Sequence, residues 1–178
     1  MLKPWTKLGS RTLYQGERVL IREDLLELPD GQQRSYPAMR LGSSAGVVAL
    51  TAQGEVVLVR QYRHIPGEFC WEVPGGGMQP GESPEAGAQR ELREEAGYRA
   101  GRLTRLGGLW PNNAYLDETI HIFVAEDLVE DPLPADQDEA LERRAFPFAE
   151  ALAMVQDDRI TCGVTKLALL WAARLKGL

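Results

Sequence analysis

The clearest pattern along the chain is a pair of Val-rich apolar stretches, AGVVALTA at residues 45–52 and EVVLVRQYR at residues 55–63. Gln53 and Gly54 separate the two stretches, which therefore predict a β-hairpin. Residues 1–41 alternate apolar and polar positions, a pattern typical of half-buried strands. Further strands are predicted at residues 18–28, 32–41, 69–73, 103–109 and 119–125, with a turn at Pro29-Asp30-Gly31 between the first two.

Helical periodicity replaces this alternation in three places. Residues 148–155 are amphipathic, and residues 162–175 carry apolar side chains at spacings near i, i+3, i+4 and i+7. Another helix is predicted to begin after Ser83, a good N-cap that is followed by Pro84. Gly97 can end that helix in the left-handed conformation.

This last helix has an unusual set of acidic residues. Glu91, Glu94 and Glu95 are spaced i, i+3, i+4, so their side chains share one face and repel one another in water. Three carboxylates on one face are the ligands that hard divalent cations prefer, and magnesium usually adds a phosphate from its substrate. The bland alternative is a solvated surface helix that happens to be rich in Glu.

The spacing of the surrounding residues resembles the Nudix box. That family pattern is Gly, five residues, Glu, seven residues, Arg-Glu, an aliphatic residue, any residue, Glu-Glu, any residue, Gly and an aliphatic residue. All seven fixed positions match, and only the final packing position departs, with Tyr98 in place of an aliphatic residue. The seven fixed residues are Gly76, Glu82, Arg90, Glu91, Glu94, Glu95 and Gly97, and Leu92 fills the first aliphatic position.

Composition narrows the class of protein. A chain of 178 residues is long enough for one domain with its own core, and we expect residues 1–178 to form a single domain. The net charge of −6 argues against a nucleic-acid partner, which requires a basic surface. No apolar run approaches the ~18 residues of a membrane span, and the N-terminus lacks a signal-peptide core, so we expect a cytoplasmic protein without a membrane partner. Cys70 and Cys162 are expected to be reduced and structural.

The resemblance implies a fold and an assembly. The expected fold is α/β: a Nudix α/β/α sandwich with a mixed β-sheet and an N-terminal antiparallel strand extension over residues 1–41. The N-terminal strands look like those of ADP-ribose and nucleoside-diphosphate-sugar pyrophosphatases, which implies a homodimer and contacts with the base of the substrate. Trp5 and Tyr14 either stack on that base or pack within a small N-terminal sheet.

The resemblance also implies roles for residues outside the helix. The phrase VRQYRH…WEVPGGG is similar to the sugar-nucleotide branch, in which the arginine at Arg63 contacts the substrate diphosphate. Arg60 is expected to be a solvated strand end. The three glycines at residues 75–77 allow a close backbone approach, with the Gly75 carbonyl as a metal ligand and Gly76 and Gly77 beside the substrate. Glu118 falls where the family has a carboxylate at the substrate, or else is an exposed loop acid.

An acidic stretch at residues 126–142 is predicted to be a loop. The run at residues 136–139 is similar to the acidic run from which related enzymes supply a glutamate to the site, and Glu139 is the expected general base. Asp136, Asp138 and Glu142 remain alternatives. The segment RRAFPFAEALAMV that follows looks like the strand and helix of the family.

The expected activity is hydrolysis of the diphosphate bond of ADP-ribose or another nucleoside diphosphate sugar, with Mg²⁺ or Mn²⁺ held by Glu91, Glu94, Glu95 and the Gly75 carbonyl. Arg90 would fix the glutamates through an ion pair. Pro111 alone remains of a Ser-Pro-Gly motif common in sugar-nucleotide enzymes, which weakens the assignment to ADP-ribose itself. Alternatives are hydrolysis of oxidised nucleoside triphosphates or dinucleoside polyphosphates, or a non-catalytic nucleotide-sugar sensor. An intact box and the lack of a basic module disfavour the sensor.

Overall fold

A computed structural model describes residues 2–134 and 141–177. Within these ranges the chain has nine β-strands, three α-helices and a π-helical segment, Leu92–Ala96, that continues the first helix. The strands are β1 Thr6–Gln15, β2 Leu20–Glu27, β3 Gln33–Leu50, β4 Glu55–Arg63, β5 Glu68–Glu72, β6 Gly75–Gly77, β7 Tyr98–Leu109, β8 Leu116–Glu130 and β9 Glu142–Pro147. The helices are α1 Pro84–Glu91, α2 Phe148–Gln156 and α3 Gly163–Lys176. Of the helices described, none has the length and apolar character that a membrane crossing requires.

The chain forms two compact units. The N-terminal unit comprises residues 2–43 and 110–119, and we call the remainder the box unit, described at residues 44–109, 120–134 and 141–177. The expectation of a single domain over residues 1–178 stays a prediction.

The N-terminal unit is built on an antiparallel meander. β1 pairs with β2, and β2 pairs with the first part of β3 in a register that runs from Leu20↔Arg40 to Glu27↔Gln33. Gly31 has a φ of +82° in the turn between β2 and β3, which only glycine adopts freely. The hairpin predicted around Pro29-Asp30-Gly31 is therefore confirmed, whereas β1 was not predicted as a separate strand.

The sheet of the box unit is covered on both faces. Alternate side chains of β3 and β4 point to opposite faces, because successive strand residues do so by geometry. Val47, Ala49 and Val57 pack with Ala88 and Leu92 of the first helix. On the other face the core is formed by Val48, Leu50, Val56 and Leu58 with apolar residues of α2 and α3. This layering confirms the predicted α/β/α arrangement.

Three predictions about these elements are wrong, and β7 and β8 are also longer than the strands predicted at residues 103–109 and 119–125. β3 is one strand of 18 residues, where the sequence predicted two, and Gly42 adopts a φ of +90° within it. Gly75–Gly77, predicted as a loop, is a short strand that pairs with β3 from Ser44 to Gly46.

The third difference concerns the acidic stretch. β8 continues to Glu130 and β9 begins at Glu142, so residues 126–130 and 142 of the predicted loop at residues 126–142 are strand. β8 pairs with β7 as far as Tyr98↔Glu130, and the basic side chains of β7 offset its acids. Arg102, for example, forms an ion pair with Glu126 at 2.8 Å. An acidic composition suggested a solvated loop because the cross-strand partners lie more than twenty residues away in sequence.

Candidate active site

The site begins where β6 leads towards α1. A Cβ atom on Gly75 would lie 2.2 Å from the Ala45 carbonyl oxygen on the paired strand β3. A Cβ atom on Gly76 would lie 2.7 Å from Oε2 of Glu91. Glycine is therefore required at position 75 by the backbone of β3, whereas a side chain at position 76 would displace the Glu91 carboxylate of the helix.

The helix that carries the acids begins as predicted and continues differently. Ser83 Oγ accepts a hydrogen bond from the Ala86 amide at 3.2 Å, Pro84 is the first helical residue, and Gly97 ends the helix with a φ of +79°. Between Glu91 and Gly97, however, the backbone is π-helical, with the Gly97 amide donating to the Leu92 carbonyl. The acids therefore do not lie on one regular α-helical face, because the turn that carries Glu94 and Glu95 is widened by one residue.

Two of the three acids are buried. Glu91 is 8% exposed and Glu95 is 5% exposed, in a helix that also buries Leu92 and Ala96 completely. Oε2 of Glu95 accepts a hydrogen bond from the Gly75 amide at 2.7 Å, so the carboxylate crosses from the helix to the glycine strand. Buried carboxylates are rare unless they are paired or bind a cation, which makes this turn a candidate functional site.

Arg90 holds the acids together. Its Nη1 donates to Glu91 Oε1 at 2.7 Å and to Glu94 Oε2 at 2.8 Å. Its Nε and Nη2 each donate to Glu82 at 2.9 Å, and Nη2 also reaches the Gly77 carbonyl at 2.9 Å. The hydrogen bond from Arg90 lowers the pKa of Glu82, and the hydrogen bond to Glu82 is the largest of the effects that raise the pKa of Arg90. Arg90 thus makes the ion pairs that the family resemblance implies, while its part in the reaction stays a prediction.

The carboxylate oxygens of Glu91, Glu94 and Glu95 are chemically suited to bind a divalent cation. Glu91, Glu94 and Glu95 each accept a hydrogen bond from a cationic or N–H donor, and carboxylate oxygens are the ligands that hard divalent cations prefer. Among residues 2–134 and 141–177, no group of three or more His, Cys, Asp or Glu side chains stands together as a ready ligand set. The reason is visible in the contacts, since Arg90 draws Glu91 and Glu94 together whereas the Gly75 amide holds Glu95.

Arg63, the predicted diphosphate contact, lies at the end of β4 and pairs across the sheet with β5. Its Nε donates to both carboxylate oxygens of Glu72, at 3.0 and 3.2 Å. This hydrogen bond is the main reason why the pKa of Arg63 is raised. The side chain remains 44% exposed, so the guanidinium still has a face in solvent. Its contact with substrate stays a prediction.

The family model of the NUDIX domain matches residues 40–161. The chain belongs to the Nudix family. It is 29% identical over 164 residues to the ADP-ribose pyrophosphatase of Bacillus subtilis (strain 168), covering 91% of this chain and 89% of that protein. It is 31% identical to the methanol dehydrogenase activator of Bacillus methanolicus with the same coverage. A crystal structure of an ADP compounds hydrolase superposes with a TM-score of 0.90 at 27% identity, covering 99% of this chain and 97% of that one.

These matches confirm the predicted family and the α/β fold, and they identify the chain as a Nudix hydrolase. Nudix hydrolases generally use divalent metal ions, in keeping with the donor chemistry of the glutamate cluster.

The other residues predicted to belong to the site of this Nudix hydrolase lie outside the Nudix box at residues 76–98. Glu118 is in the first part of β8, within the N-terminal unit. Trp5, in the same unit, meets Tyr36 edge to face at 5.9 Å between ring centroids, and Tyr36 stacks on Tyr115 at the same distance. The aromatic cluster of Trp5, Tyr36 and Tyr115 was only partly foreseen, because nothing in the periodicity singles out Tyr36 or Tyr115.

The predicted general base of this Nudix hydrolase, Glu139, lies outside the described residues, as do Asp136 and Asp138. The alternative, Glu142, begins β9 and forms an ion pair with Arg60 at 3.5 Å. Arg60 is not simply a solvated strand end, since its guanidinium also lies over the rings of Phe69 and Trp71 at 5.3 and 5.8 Å. Glu72, the partner of Arg63, was missed even though it stands in the motif WEVPGGG.

Proposed function

We propose that this Nudix hydrolase cleaves the diphosphate bond of a nucleoside diphosphate sugar, with ADP-ribose as the first candidate. The structural observation that carries the proposal is the buried glutamate cluster held by Arg90 and the glycine strand. The substrate class is supported by the relatives described above, one named an ADP-ribose pyrophosphatase and another an ADP compounds hydrolase. The products would be a nucleoside monophosphate and a sugar phosphate.

Magnesium is the proposed ion, with Mn²⁺ as an alternative. Glu91, Glu94, Glu95 and the Gly75 carbonyl would hold it, since carboxylate and carbonyl oxygens are its usual protein ligands. When bound, the ion supplies charge neutralisation at the diphosphate and a lowered pKa for the attacking water. Arg90 keeps the glutamates oriented through its ion pairs with Glu91 and Glu94.

The remaining roles belong to protein groups. The water oxygen forms a bond to one phosphorus atom, the bond from that phosphorus to the bridging oxygen breaks, and the water gives up its protons to a base and to solvent. Glu139 is the proposed base. Arg63, together with Gly76, Gly77 and Glu118, is proposed to bind the substrate, with the guanidinium pairing two phosphate oxygens.

One screen tests this function. The protein is incubated with Mg²⁺ and, separately, ADP-ribose, GDP- and UDP-hexoses, oxidised nucleoside triphosphates and dinucleoside polyphosphates, and the products are separated by chromatography. We expect a nucleoside monophosphate and a sugar phosphate from at least one nucleotide sugar. Faster cleavage of the triphosphates or dinucleotides would contradict the proposed substrate class, and no turnover of any compound would contradict the activity.

We also propose that the protein is a homodimer assembled through the N-terminal unit, in the cytoplasm and without a nucleic-acid or membrane partner. The support for the dimer is an unusual surface. Large apolar side chains of this unit are between 38% and 101% exposed, namely Leu2, Trp5, Leu8, Leu13, Tyr14, Leu25, Leu41, Trp110 and Tyr115. Exposed apolar side chains in this number favour an interface, and a second copy of the chain presents the same apolar strands for a symmetric contact.

The dimer proposal is tested by light scattering on two matched variants. Leu13 and Leu170 are 52% and 51% exposed, the first on β1 and the second on α3. We expect wild type and Leu170→Asp to be dimers at micromolar concentration and Leu13→Asp to shift to monomer, because a charge at an apolar interface is costly to bury. A monomeric wild type would contradict the proposal.

A further inference from the structure

The C-terminal end of the box helix (residues 84–96) is held from outside by two separate chain segments. One is the stem that follows β8, residues 131–133, and the other is Arg143 on β9. In sequence these two segments flank residues 135–140. A pocket at this point is lined by Ala96, Gly97, Tyr98, Glu130, Pro132 and Arg143. It contains none of the box carboxylates and is therefore not the candidate active site.

The contacts follow from the π-helical turn. In a regular α-helix the amide of residue 97 would donate to the carbonyl of residue 93. Here it donates to Leu92, which deprives the Arg93 carbonyl of its usual partner. The Leu133 amide donates to that carbonyl instead, at 3.2 Å. The wider turn is thus completed by a residue from outside the helix.

The carbonyls of Ala96 and Gly97, at the end of the helix, have no donor within it. The Asp131 amide donates to the Gly97 carbonyl at 3.0 Å, and Nη1 of Arg143 donates to the Ala96 carbonyl at 3.1 Å. The Arg93 side chain fixes the stem in return, with Nε and Nη2 bound to the carbonyl and carboxylate of Asp131 at 3.1 and 3.2 Å. A cation is also favoured at this place because carbonyl oxygens give a helix C-terminus partial negative charge.

Arg143 gives Gly97 a second reason to be glycine. The φ of +79° already disfavours other residues, and a Cβ atom there would in addition lie 2.2 Å from Nη1 of Arg143. The guanidinium therefore occupies the space that any side chain at the end of the box would need. Arg143 therefore contacts the end of the box helix, although it lies 46 positions after Gly97 in the chain.

We propose that Arg143 is a positioning residue, which sets the orientation of Glu94 and Glu95 by holding the end of the π-helical turn that carries them. The turn is anchored at its other side by Glu95, bound to the Gly75 amide, and by Glu94, bound to Arg90. Loss of Arg143 releases the Ala96 carbonyl, so the end of the turn is held only by the stem, and both carboxylates can move from their present orientation. The functional part of this inference rests on the proposed metal-dependent hydrolysis.

The test compares two neighbouring arginines on β9. Arg143→Met removes the donor to Ala96, whereas Arg144→Met removes the same charge from a guanidinium that lies 4.7 Å over the Phe146 ring. Arg143→Lys keeps the charge and one donor group. Mn²⁺ affinity is measured by calorimetry, amide exchange at Ala96 and Gly97 by NMR, and kcat and KM with the nucleotide sugar found in the screen. All three variants are made in the full chain, and the substituted residues are exposed, so each is expected to fold.

We expect Arg143→Met to weaken Mn²⁺ binding by about 10–100-fold, the range found when residues that orient metal ligands are removed. Exchange at Ala96 and Gly97 should quicken, kcat should fall more than KM changes, and Arg143→Lys should recover much of the loss. Arg144→Met should leave Mn²⁺ affinity and exchange within twofold of wild type. Unchanged exchange in Arg143→Met would overturn the inference, and faster exchange with wild-type Mn²⁺ affinity would reduce Arg143 to a structural role. If wild type itself bound no Mn²⁺, the proposed function would fail, and the exchange rates would still show whether Arg143 holds the turn.

Discussion

The two units of this protein differ in what they bury. In the N-terminal unit, which is described throughout residues 2–43 and 110–119, Asp24 is the only buried residue. All of the buried hydrophobic residues in the described part of the chain lie in the box unit. The box unit therefore has a core of its own, whereas the N-terminal strands depend on hydrogen bonds, ion pairs and, we propose, a second copy of the chain.

The two units also differ in charge. The N-terminal unit has equal numbers of acidic and basic residues, so the whole formal charge of −6 resides in the box unit. A diphosphate substrate carries negative charge as well, and a unit of this kind can bind it only with the help of a cation or of local arginines. The comparison implies that conservative substitutions of the polar site residues in the box unit change chemistry with little effect on folding, because the apolar core of that unit stays intact. Substitutions in the N-terminal unit should instead change assembly or local stability.

The largest effect is expected for Glu94→Gln. The amide keeps the shape of the side chain and removes one carboxylate from the proposed metal site. Because a metal ion contributes several kcal/mol of transition-state stabilisation, turnover should fall by several orders of magnitude. Folding should change little, since Arg90 retains its bonds to Glu82 and Glu91. Steady-state kinetics and thermal melting measure the two effects.

The matched control is Glu85→Gln, which removes the same charge from an exposed position in the first turn of α1. It should retain wild-type turnover. Full activity in a well-folded Glu94→Gln variant would contradict the assignment of Glu94 as a metal ligand. It would also contradict the view that the box unit carries the chemistry and the N-terminal unit does not.

The next effect is expected for Glu139→Gln. Loss of a general base typically costs about 10²–10⁴-fold in rate. Because a base is not a metal ligand, kcat should fall while the magnesium dependence stays unchanged. Glu142→Gln and Asp138→Asn are the comparisons, and Glu142 already has a partner in Arg60. A far larger loss of kcat in Glu142→Gln would show that the acidic run was aligned out of register.

Much of the box unit could be predicted from local sequence. Ser83, Pro84 and Gly97 define the ends of the box helix because caps depend on side chains within a few residues. The central hairpin was predicted from the Val-rich residues 45–52 and 55–63 and from the turn between them. Each of these features depends on residues that are close together in sequence, and hydrophobic periodicity and secondary-structure propensity can be recognised over such short distances.

The rest depends on contacts between distant segments. The π-helical turn buries Leu92 and Ala96. The carbonyl groups at its end accept hydrogen bonds from the Asp131 and Leu133 amides and from the Arg143 guanidinium, which lie outside the helix and which its sequence does not reveal. The acids of β8 looked like a loop because Arg102, an ion-pair partner, belongs to another strand. The exposure of the N-terminal apolar residues was equally hidden, since alternation predicts a buried face without showing what buries it.

A smaller effect on activity is expected from substitutions in β6, the strand formed by Gly75–Gly77. Gly76→Ala places a Cβ atom against the Glu91 carboxylate, whereas a Cβ atom on Gly77 meets no atom within 4 Å in the described structure. Displacement of Glu91 should weaken Mn²⁺ binding by about tenfold or more, as changes around metal ligands do. Gly77→Ala should leave Mn²⁺ affinity close to wild type and raise KM if Gly77 lies beside the substrate. Equal Mn²⁺ affinities for the two variants would contradict the placement of Glu91 in the metal site.

The smallest effect, and the sharpest test of the N-terminal unit, concerns Asp24. Burial alone would raise its pKa, but hydrogen bonds from Lys7, Ser10 and Arg22 outweigh burial and lower the pKa from 3.8 to about 2. The three donor atoms lie 2.8, 2.5 and 3.2 Å from the carboxylate. A carboxyl with a lowered pKa in the folded state stabilises the fold above its unfolded pKa, and this contribution is lost as the pH falls from about 3.8 towards 2.

Asp24→Asn should therefore destabilise the β1–β2 pair at pH 7 by about 1–3 kcal/mol, because the amide keeps one acceptor oxygen but loses the buried negative charge that pairs with Lys7 and Arg22. Amide exchange of β1 and β2 reports this local stability, with Glu23→Gln as a control on the same strand, where the ion pair with Arg11 is more exposed. Between pH 7 and pH 3 the gap between wild type and Asp24→Asn should narrow only at the acidic end, while exchange in the box unit stays the same in both proteins. If the gap is absent at pH 7, or does not narrow below about pH 3.8, Asp24 does not hold these strands, and their stability comes from the backbone ladder, the other ion pairs and the proposed dimer contact.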